Sequence, residues 1–240
     1  MNYNWNWAVI FTEPYLGWLL KGLQLTLTIA CCAGVIAFCI GGVVGICRTL
    51  DVAPLRIAAT AYVELFRNVP LLVQLFIWFF VVPELLPKTW GHYVKRDLPF
   101  PEITTAIICM GLYQAASIAE TVRAGIQSVG RNQRFAGLAI GLTTFQVYRY
   151  VLLPVTIRTI IPPLASTFLA TVKDSSLALT IGVLELTAQS RQIEVYTFQG
   201  FEAFFAATLL YQAVTVVVIF AMQYLEKTLR VPGMLSLAQK

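Results

Sequence analysis

Long apolar runs alternate with short polar ones along this chain, and the apolar runs exceed what the interior of a soluble domain needs. A helix requires about 20 mostly apolar residues to cross the ~30 Å hydrocarbon core of a bilayer. Runs of that length, rich in Leu, Ile, Val, Ala and Phe, recur at Leu19–Cys47, Ile57–Val82, Ile103–Gln127, Ile161–Ile181 and Phe204–Tyr224. None has the residue-by-residue alternation of a barrel strand. The pattern predicts an all-α membrane protein with about five transmembrane helices. Ahead of the first run, Trp5, Trp7, Tyr15 and Trp18 surround Pro14, which predicts an interfacial segment over residues 1–18 with its rings at headgroup level. That segment carries Glu13 and no basic residue before Lys21, so the first run is expected to stay in the mature protein rather than act as a signal peptide.

The pattern breaks between the third and fourth runs, where residues 128–163 are the least membrane-like part of the chain and carry several arginines with no acidic residue. Gln133–Ile140 has the makings of a short helix, Gly141 suits a left-handed terminating position, and Thr143 with Gln146 has the spacing of a capping box. Pro154, Pro162 and Pro163 then punctuate the chain. The expectation is two short helices held at an angle. The chain then divides into the interfacial segment 1–18, a transmembrane domain 19–226 containing this loop at 128–160, and a tail 227–240.

Composition agrees with lipid as the solvent: of 240 residues 58% are hydrophobic and 12% charged, with a mean hydropathy of +0.73. Charge adds an orientation. With the N-terminus outside, the inner set holds Arg48, Arg56, Arg123, Arg131, Arg134, Arg149, Arg158, Lys227, Arg230 and Lys240, ten of the seventeen basic residues. Outer segments hold Lys21, Lys88, Lys95, Arg96 and Arg191 together with Glu13, Glu84, Asp97, Glu102, Glu185, Glu194 and Glu202. The expected topology has the N-terminus periplasmic and the C-terminus cytoplasmic, and the net charge of +5 needs no nucleic-acid partner.

The chemistry-bearing residues exclude several classes. Cys31, Cys32, Cys39, Cys47 and Cys109 all lie in apolar runs without a metal or disulfide pattern, and are read as packing residues. The single histidine, His92, falls in an outer loop. With no His-Glu-x-x-His or Gly-x-Ser-x-Gly motif a membrane-embedded enzyme lacks its ingredients. No phosphate-cradling Gly-x-x-x-x-Gly-Lys-Ser/Thr loop is present either. What remains is charge inside the apolar runs, which points to a pathway. Glu64 and Arg67, three apart, share a helix face and are expected to pair, with Pro70 interrupting the helix beyond them. Lys173 and Asp174, adjacent and therefore aimed apart, are followed by the hydroxyls of Ser175 and Ser176. Glu120 and Arg123 form a further pair at the end of the third run, and Gly41-x-x-x-Gly45 permits a close helix contact in the first.

The loop segment Arg134-Phe135-Ala136-Gly137-Leu138-Ala139-Ile140-Gly141, followed by Val151-Leu152-Leu153-Pro154, resembles the cytoplasmic signature of ABC importer permeases: Glu-Ala-Ala, three residues, Gly, nine residues, Ile-x-Leu-Pro. Ala136, Gly141, Leu153 and Pro154 match, while Phe135 and Gly137 stand where the family has Glu and a second Ala. The segments Glu64-Leu65-Phe66-Arg67-Asn68-Val69-Pro70-Leu71-Leu72-Val73-Gln74 and Lys173-Asp174-Ser175-Ser176-Leu177 resemble the polar amino-acid branch, and with Val82-Pro83-Glu84-Leu85-Leu86-Pro87 they look most like its glutamate/aspartate permeases. The resemblance implies the type I ABC importer permease fold, and a coupling helix in which Gln133, Arg134, Phe135, Ala136, Gly137, Gly141, Leu153 and Pro154 meet a separate ATPase. It also implies a substrate pathway with Glu64, Arg67, Pro70, Gln74, Lys173, Asp174, Ser175 and Ser176. It implies a pair of cytoplasmic ATP-binding subunits carrying ATP and Mg, a second related permease or a second copy, and a periplasmic amino-acid-binding protein. This chain itself would bind no cofactor. Other polar or basic amino acids are alternative cargoes. An ATP-independent secondary transporter is a further alternative, against which the sequence shows no self-similar halves.

Overall fold

A computed structural model describes residues 3–129 and 131–229, all helix and connecting loop with no strand among them. Arg230, Lys240 and the rest of the expected cytoplasmic tail at 230–240 lie outside the described residues.

The first run becomes α1, Tyr15–Cys47, and the third becomes the helix at Pro101–Ser128, each starting a few residues before its apolar stretch. The second run is not one straight span. It consists of α2, Ala53–Asn68, and α3, Leu71–Leu85, bent by 101° across Val69 and Pro70. Proline supplies no N–H and pushes the residue before it into extended backbone, and Val69 sits there at φ −103, ψ 128. A short α4, Lys88–His92, leads through a π-turn at Tyr93–Asp97 to α5, Pro101–Ser128.

Beyond α5 comes α6, Arg131–Ala139. The second short helix expected after it is not separate. Thr144 opens a continuous rod, α7, Thr144–Ile181, that passes through a π-turn at Tyr148–Leu152, keeps Pro162 and Pro163 inside it, and tightens to a 3-10 turn at Ser175–Ile181. A membrane helix keeps internal prolines because neighbouring helices and local backbone adjustments satisfy the groups they free. Gly182, at φ +93, ends the rod. The chain then forms α8, Leu186–Thr197, which the apolar pattern did not announce, and α9, Gly200–Leu229.

The core is built around α1 and α5, which share the most extensive helix contact. Their approach is set by glycine. A Cβ on Gly41 would lie 2.6 Å from the Ala115 carbonyl oxygen and one on Gly45 would lie 2.7 Å from that of Ala119. The small-residue spacing read in the sequence is therefore the seam of the α1–α5 pair. Of the cysteines only Cys109 is buried in the core, while Cys31, Cys32 and Cys39 face outward from α1, so packing explains one of them.

Two fully buried carboxylates hold together the end of the bundle where α8 lies. Glu185 caps α8 by accepting from the Thr187 and Ala188 amides at 2.9 and 2.8 Å, and also accepts from the Tyr211 hydroxyl of α9 at 2.8 Å. Thr26 of α1 receives the Leu186 amide at 3.2 Å, so α1, α8 and α9 meet at this point. Glu202 accepts from the Asn6 amide at 2.8 Å and from the Tyr3 hydroxyl, which latches the N-terminal segment to the start of α9. There Tyr3, Trp5 and Trp7 pack with Phe201 and Phe205 as an exposed aromatic cluster, the geometry of an interfacial belt.

Candidate functional site

Two groups of polar residues are candidates, one along the spans and one on the loop between α5 and α7. Along the spans, the break at Pro70 leaves carbonyls without helical donors. Gln74 answers it: its Nε2 donates to Phe66 O and Val69 O, both at 2.8 Å. The amide bridges both sides of the bend, and its Oε1 is left buried without a partner. Gln74 is thus first a clamp on the backbone kink.

Glu64 and Arg67 do not pair, contrary to the expectation from their spacing. Both are exposed; Glu64 accepts from Asn68 Nδ2 at 3.1 Å, one turn on. Arg67 instead lines a cavity of about 510 Å³ between α2, α5 and α7, together with Ser117, Glu120, Thr121, Ser128 and Thr159. Sharing a helix face brings two side chains near each other, but each took the neighbour that lay closer along its own direction.

The carboxylate that organises this region is Glu120. It holds Arg123 on its own helix, with Arg123 Nε at 3.1 Å, as the spacing indicated. It also holds Arg48 at the end of α1, a partner that no local pattern announces. One anion between two cations ties α1 to α5 where both end.

Lys173 and Asp174 diverge as adjacent residues on a helix must. Lys173 is exposed, whereas Asp174 is half-buried and accepts from Gln114 Nε2 of α5 at 2.9 Å. Gln114 is 3% exposed, and sequence reasoning passed over it. Its signal was an amide in the middle of an apolar run. Ser175 and Ser176 donate to Val172 O and Lys173 O of their own helix, both at 2.8 Å, so their hydroxyl hydrogens are already used. They support the passage from α-helix to 3-10 turn and offer a ligand only acceptor oxygens.

The loop has a different construction. Thr143 Oγ1 accepts the Gln146 amide at 3.3 Å and Gln146 Oε1 accepts the Thr143 amide at 2.8 Å, the reciprocal capping box that the sequence indicated. Gly141 sits at φ +88 with no atom near its missing side chain. Gly137 faces inward, where a Cβ would meet Val147 Cγ2 at 3.0 Å, so it seats α6 on α7 rather than on a partner. Arg134 pairs with Asp51 of the α1–α2 loop, and that carboxylate raises the pKa of the guanidinium. Leu153 is half-buried and Pro154 exposed at the first turn after the π segment. Gln133 and Ala136 are exposed. Apolar side chains dominate the outward face: Phe135 is 61%, Ile140 79% and Phe145 71% exposed. The exposed apolar side chains thus lie on both sides of the Gly141 turn, on α6 and on the capped start of α7.

A helical bundle with a broken second span, close-packed glycine seams and one short helix, α6, set before the capped start of α7 has the build of a multi-span membrane protein. The comparisons identify which kind. Residues 33–231 match the family of binding-protein-dependent transport system inner membrane components, and the chain belongs to that family. It is 42% identical over 242 residues to the glutamate/aspartate import permease protein GltJ of Escherichia coli K12, covering 97% of this chain and 98% of the relative. The glutamate/aspartate import permease protein GltK of Escherichia coli O6:H1 is 32% identical over 210 residues, covering 84% of this chain and 92% of GltK. Among solved structures, a subunit of an amino acid ABC transporter with histidines superposes with a TM-score of 0.78 at 25% identity, covering 95% of this chain and all of that one. A chain of the MetNI methionine ABC transporter gives 0.76 at 22% identity over 92% of this chain, a likeness of fold. The fold is that of an ABC importer permease.

Proposed function

We propose that this chain carries glutamate and aspartate inward across the inner membrane as the permease subunit of an ATP-driven importer. The observation that carries the reading is end-to-end similarity to a glutamate/aspartate permease, at 42% identity with nearly all of both chains aligned. The site supports it chemically. A dicarboxylic cargo needs cationic hosts. Arg67 lines the cavity and Lys173 stands exposed on α7, while Asp174 accepts one hydrogen bond from Gln114 and keeps acceptor oxygen for an α-ammonium.

In this reading the exposed face of α6 around Phe135, Ala136 and Ile140 receives a cytoplasmic ATPase that holds ATP and Mg. Phe135 replaces a charged contact by an apolar one. A second permease completes the pathway opposite α2 and α7, and a periplasmic binding protein delivers the cargo. The N-terminal aromatic segment lies outside and the arginine-bearing loop inside, following the distribution of basic residues. ATP is hydrolysed on the partner chain.

The test is uptake by proteoliposomes holding the full complex with ATP inside. Labelled glutamate and aspartate should accumulate, with glutamine competing weakly, and an ion gradient without ATP should drive nothing. Accumulation by this chain alone under an ion gradient would overturn the reading in favour of a secondary transporter. Preference for glutamine would move the cargo within the family.

A further inference from the structure

A second cavity, of about 600 Å³, lies where α1 and α5 end and α2 begins, against the π-turn of α7. Arg48, Arg56, Arg134, Gln127, Thr49 and Tyr148 line it, and it shares no lining residue with the cavity around Arg67. Its walls are held in place. The Tyr148 hydroxyl reaches Thr49 O at 2.9 Å and Thr49 Oγ1 at 3.1 Å, Arg134 ties Asp51 to α6, and Arg48 ties the end of α1 to Glu120. The α1–α2 loop is therefore fastened at three points around a preformed space.

The charge in this space does not close. Among its lining residues Arg48, Arg56 and Arg134 stand against Asp51 alone, three cations to one anion, with Arg48 paired outside the cavity to Glu120. Arg56 has no ion pair among the described residues. The Arg48 side chain is only 10% exposed, and its Nε is buried without a hydrogen-bond partner. A desolvated guanidinium donor left unpaired is costly and calls for an anion with several acceptor oxygens. Exposed aliphatic side chains, Val43 on α1 and Leu55 and Ile57 on α2, continue from the same helix ends toward the hydrocarbon.

We propose that this cavity binds the phosphodiester headgroup of an anionic phospholipid of the inner leaflet, with the acyl chains along the apolar sides of α1 and α2. The chemistry recognised is a phosphate ester anion. The membrane is the favoured source because the cavity sits where spans end and because basic pockets between helices on the cytoplasmic side suit such headgroups. The assignment rests on the orientation given above, which puts these arginines inside. A bound headgroup would brace the loop that joins the end of α1 to α6, so lipid composition would bear on the position of the coupling segment.

The experiment is native mass spectrometry of the complex released from nanodiscs containing phosphatidylglycerol and phosphatidylcholine, comparing wild type with Arg56→Gln and Arg56→Lys. Arg56 is exposed and makes no internal pair, so its replacement spares the fold. Wild type should retain phosphatidylglycerol over phosphatidylcholine, Arg56→Gln should weaken that retention by about fivefold, and Arg56→Lys should keep most of it. Equal retention of the two lipids, or no change in Arg56→Gln, overturns the proposal. Displacement of the lipid by millimolar inorganic phosphate assigns the site to free anions, and lipid retained only by permease stripped of its ATPase subunits assigns it to a protein contact; either result overturns the lipid assignment. Retention is read on the assembled protein without transport, so the outcome is independent of which cargo the complex carries.

Discussion

The loop between α5 and α7 and the polar residues along the spans do related work by different means. In the loop the turn and the caps are local: Gly141 turns the chain, Thr143 and Gln146 cap each other, and Gly137 rests on Val147 ten residues on, while Arg134 and Tyr148 fasten the loop to Asp51 and Thr49. Along the spans the specifying partners are remote. Gln114 and Asp174 are 60 residues apart, Arg48 and Glu120 are 72 apart, and Tyr62 crosses 50 residues to donate to Leu112 O at 2.6 Å. Bonds made over a few residues fix the turn of the loop by itself, whereas the polar groups along the spans are shared between helices and so depend on how those helices lie together.

That contrast can be broken most severely at Glu120. Glu120→Ala leaves Arg48 and Arg123 without their anion, a loss that approaches about 3–5 kcal/mol for a fully buried pair and falls below it here because Glu120 and Arg123 remain partly accessible. The expected result is a lower unfolding midpoint of the complex and poor recovery from detergent, with Glu120→Asp recovering only part. A midpoint unchanged from wild type would show that the remote pair contributes nothing.

Gly41→Val comes next. The added side chain meets the Ala115 carbonyl oxygen as well as the branched Cβ of Ile118, so α1 and α5 must separate, at about 1–3 kcal/mol and upward for overpacking. Gly42→Val, with nothing within 4 Å of its site, is the control. Thermal stability should separate the two neighbours clearly; equal effects would place the seam elsewhere.

Gly141→Val tests the local side of the contrast. A β-branched residue at φ +88 costs about 1–2 kcal/mol of backbone strain, confined to the loop. Membrane insertion and global stability should stay near wild type while substrate-stimulated ATP hydrolysis in the assembled complex falls by tenfold or more, roughly the factor that 1.4 kcal/mol represents. Normal stimulation would mean that the α6–α7 turn does not set the contact.

Gln74→Leu removes two hydrogen bonds from the Pro70 bend and exposes two carbonyls, at about 1 kcal/mol for each bond. Uptake should fall more than stability does, and Gln74→Glu should not rescue, since a carboxylate cannot donate to those carbonyls. Rescue by Glu would place Gln74 in direct contact with cargo. The smallest effect is expected for Glu64 and Arg67: having no bond between them, Glu64→Ala and Arg67→Ala should combine additively in stability to within about 0.5 kcal/mol. A coupling energy well above that would restore the pair.

The apolar pattern was enough for an all-helical chain of four or five spans, because burial in lipid demands length and hydrophobicity from each segment independently of the others, but it missed that the helix of the fourth run already begins at Thr144. Capping and turn chemistry act over three or four residues, so α6, Gly141 and the Thr143 box were legible too. The sequence marked Pro70 as a break, but the 101° angle and the Gln74 clamp across it depend on where α3 finds packing against α5. Glu64 and Arg67 mark the limit on the other side: a shared helix face is permission to pair, and the third dimension supplied other neighbours. Likewise α8 is short and of mixed polarity, and it forms because Glu185 caps it and its buried Leu186 and Ile193 pack into a cluster with Leu19 and Ala203. Which helices lie side by side, and hence that Arg48 meets Glu120 and Gln114 meets Asp174, was decided by tertiary structure alone, since pairing across 60 or 72 residues leaves no periodic trace in the chain.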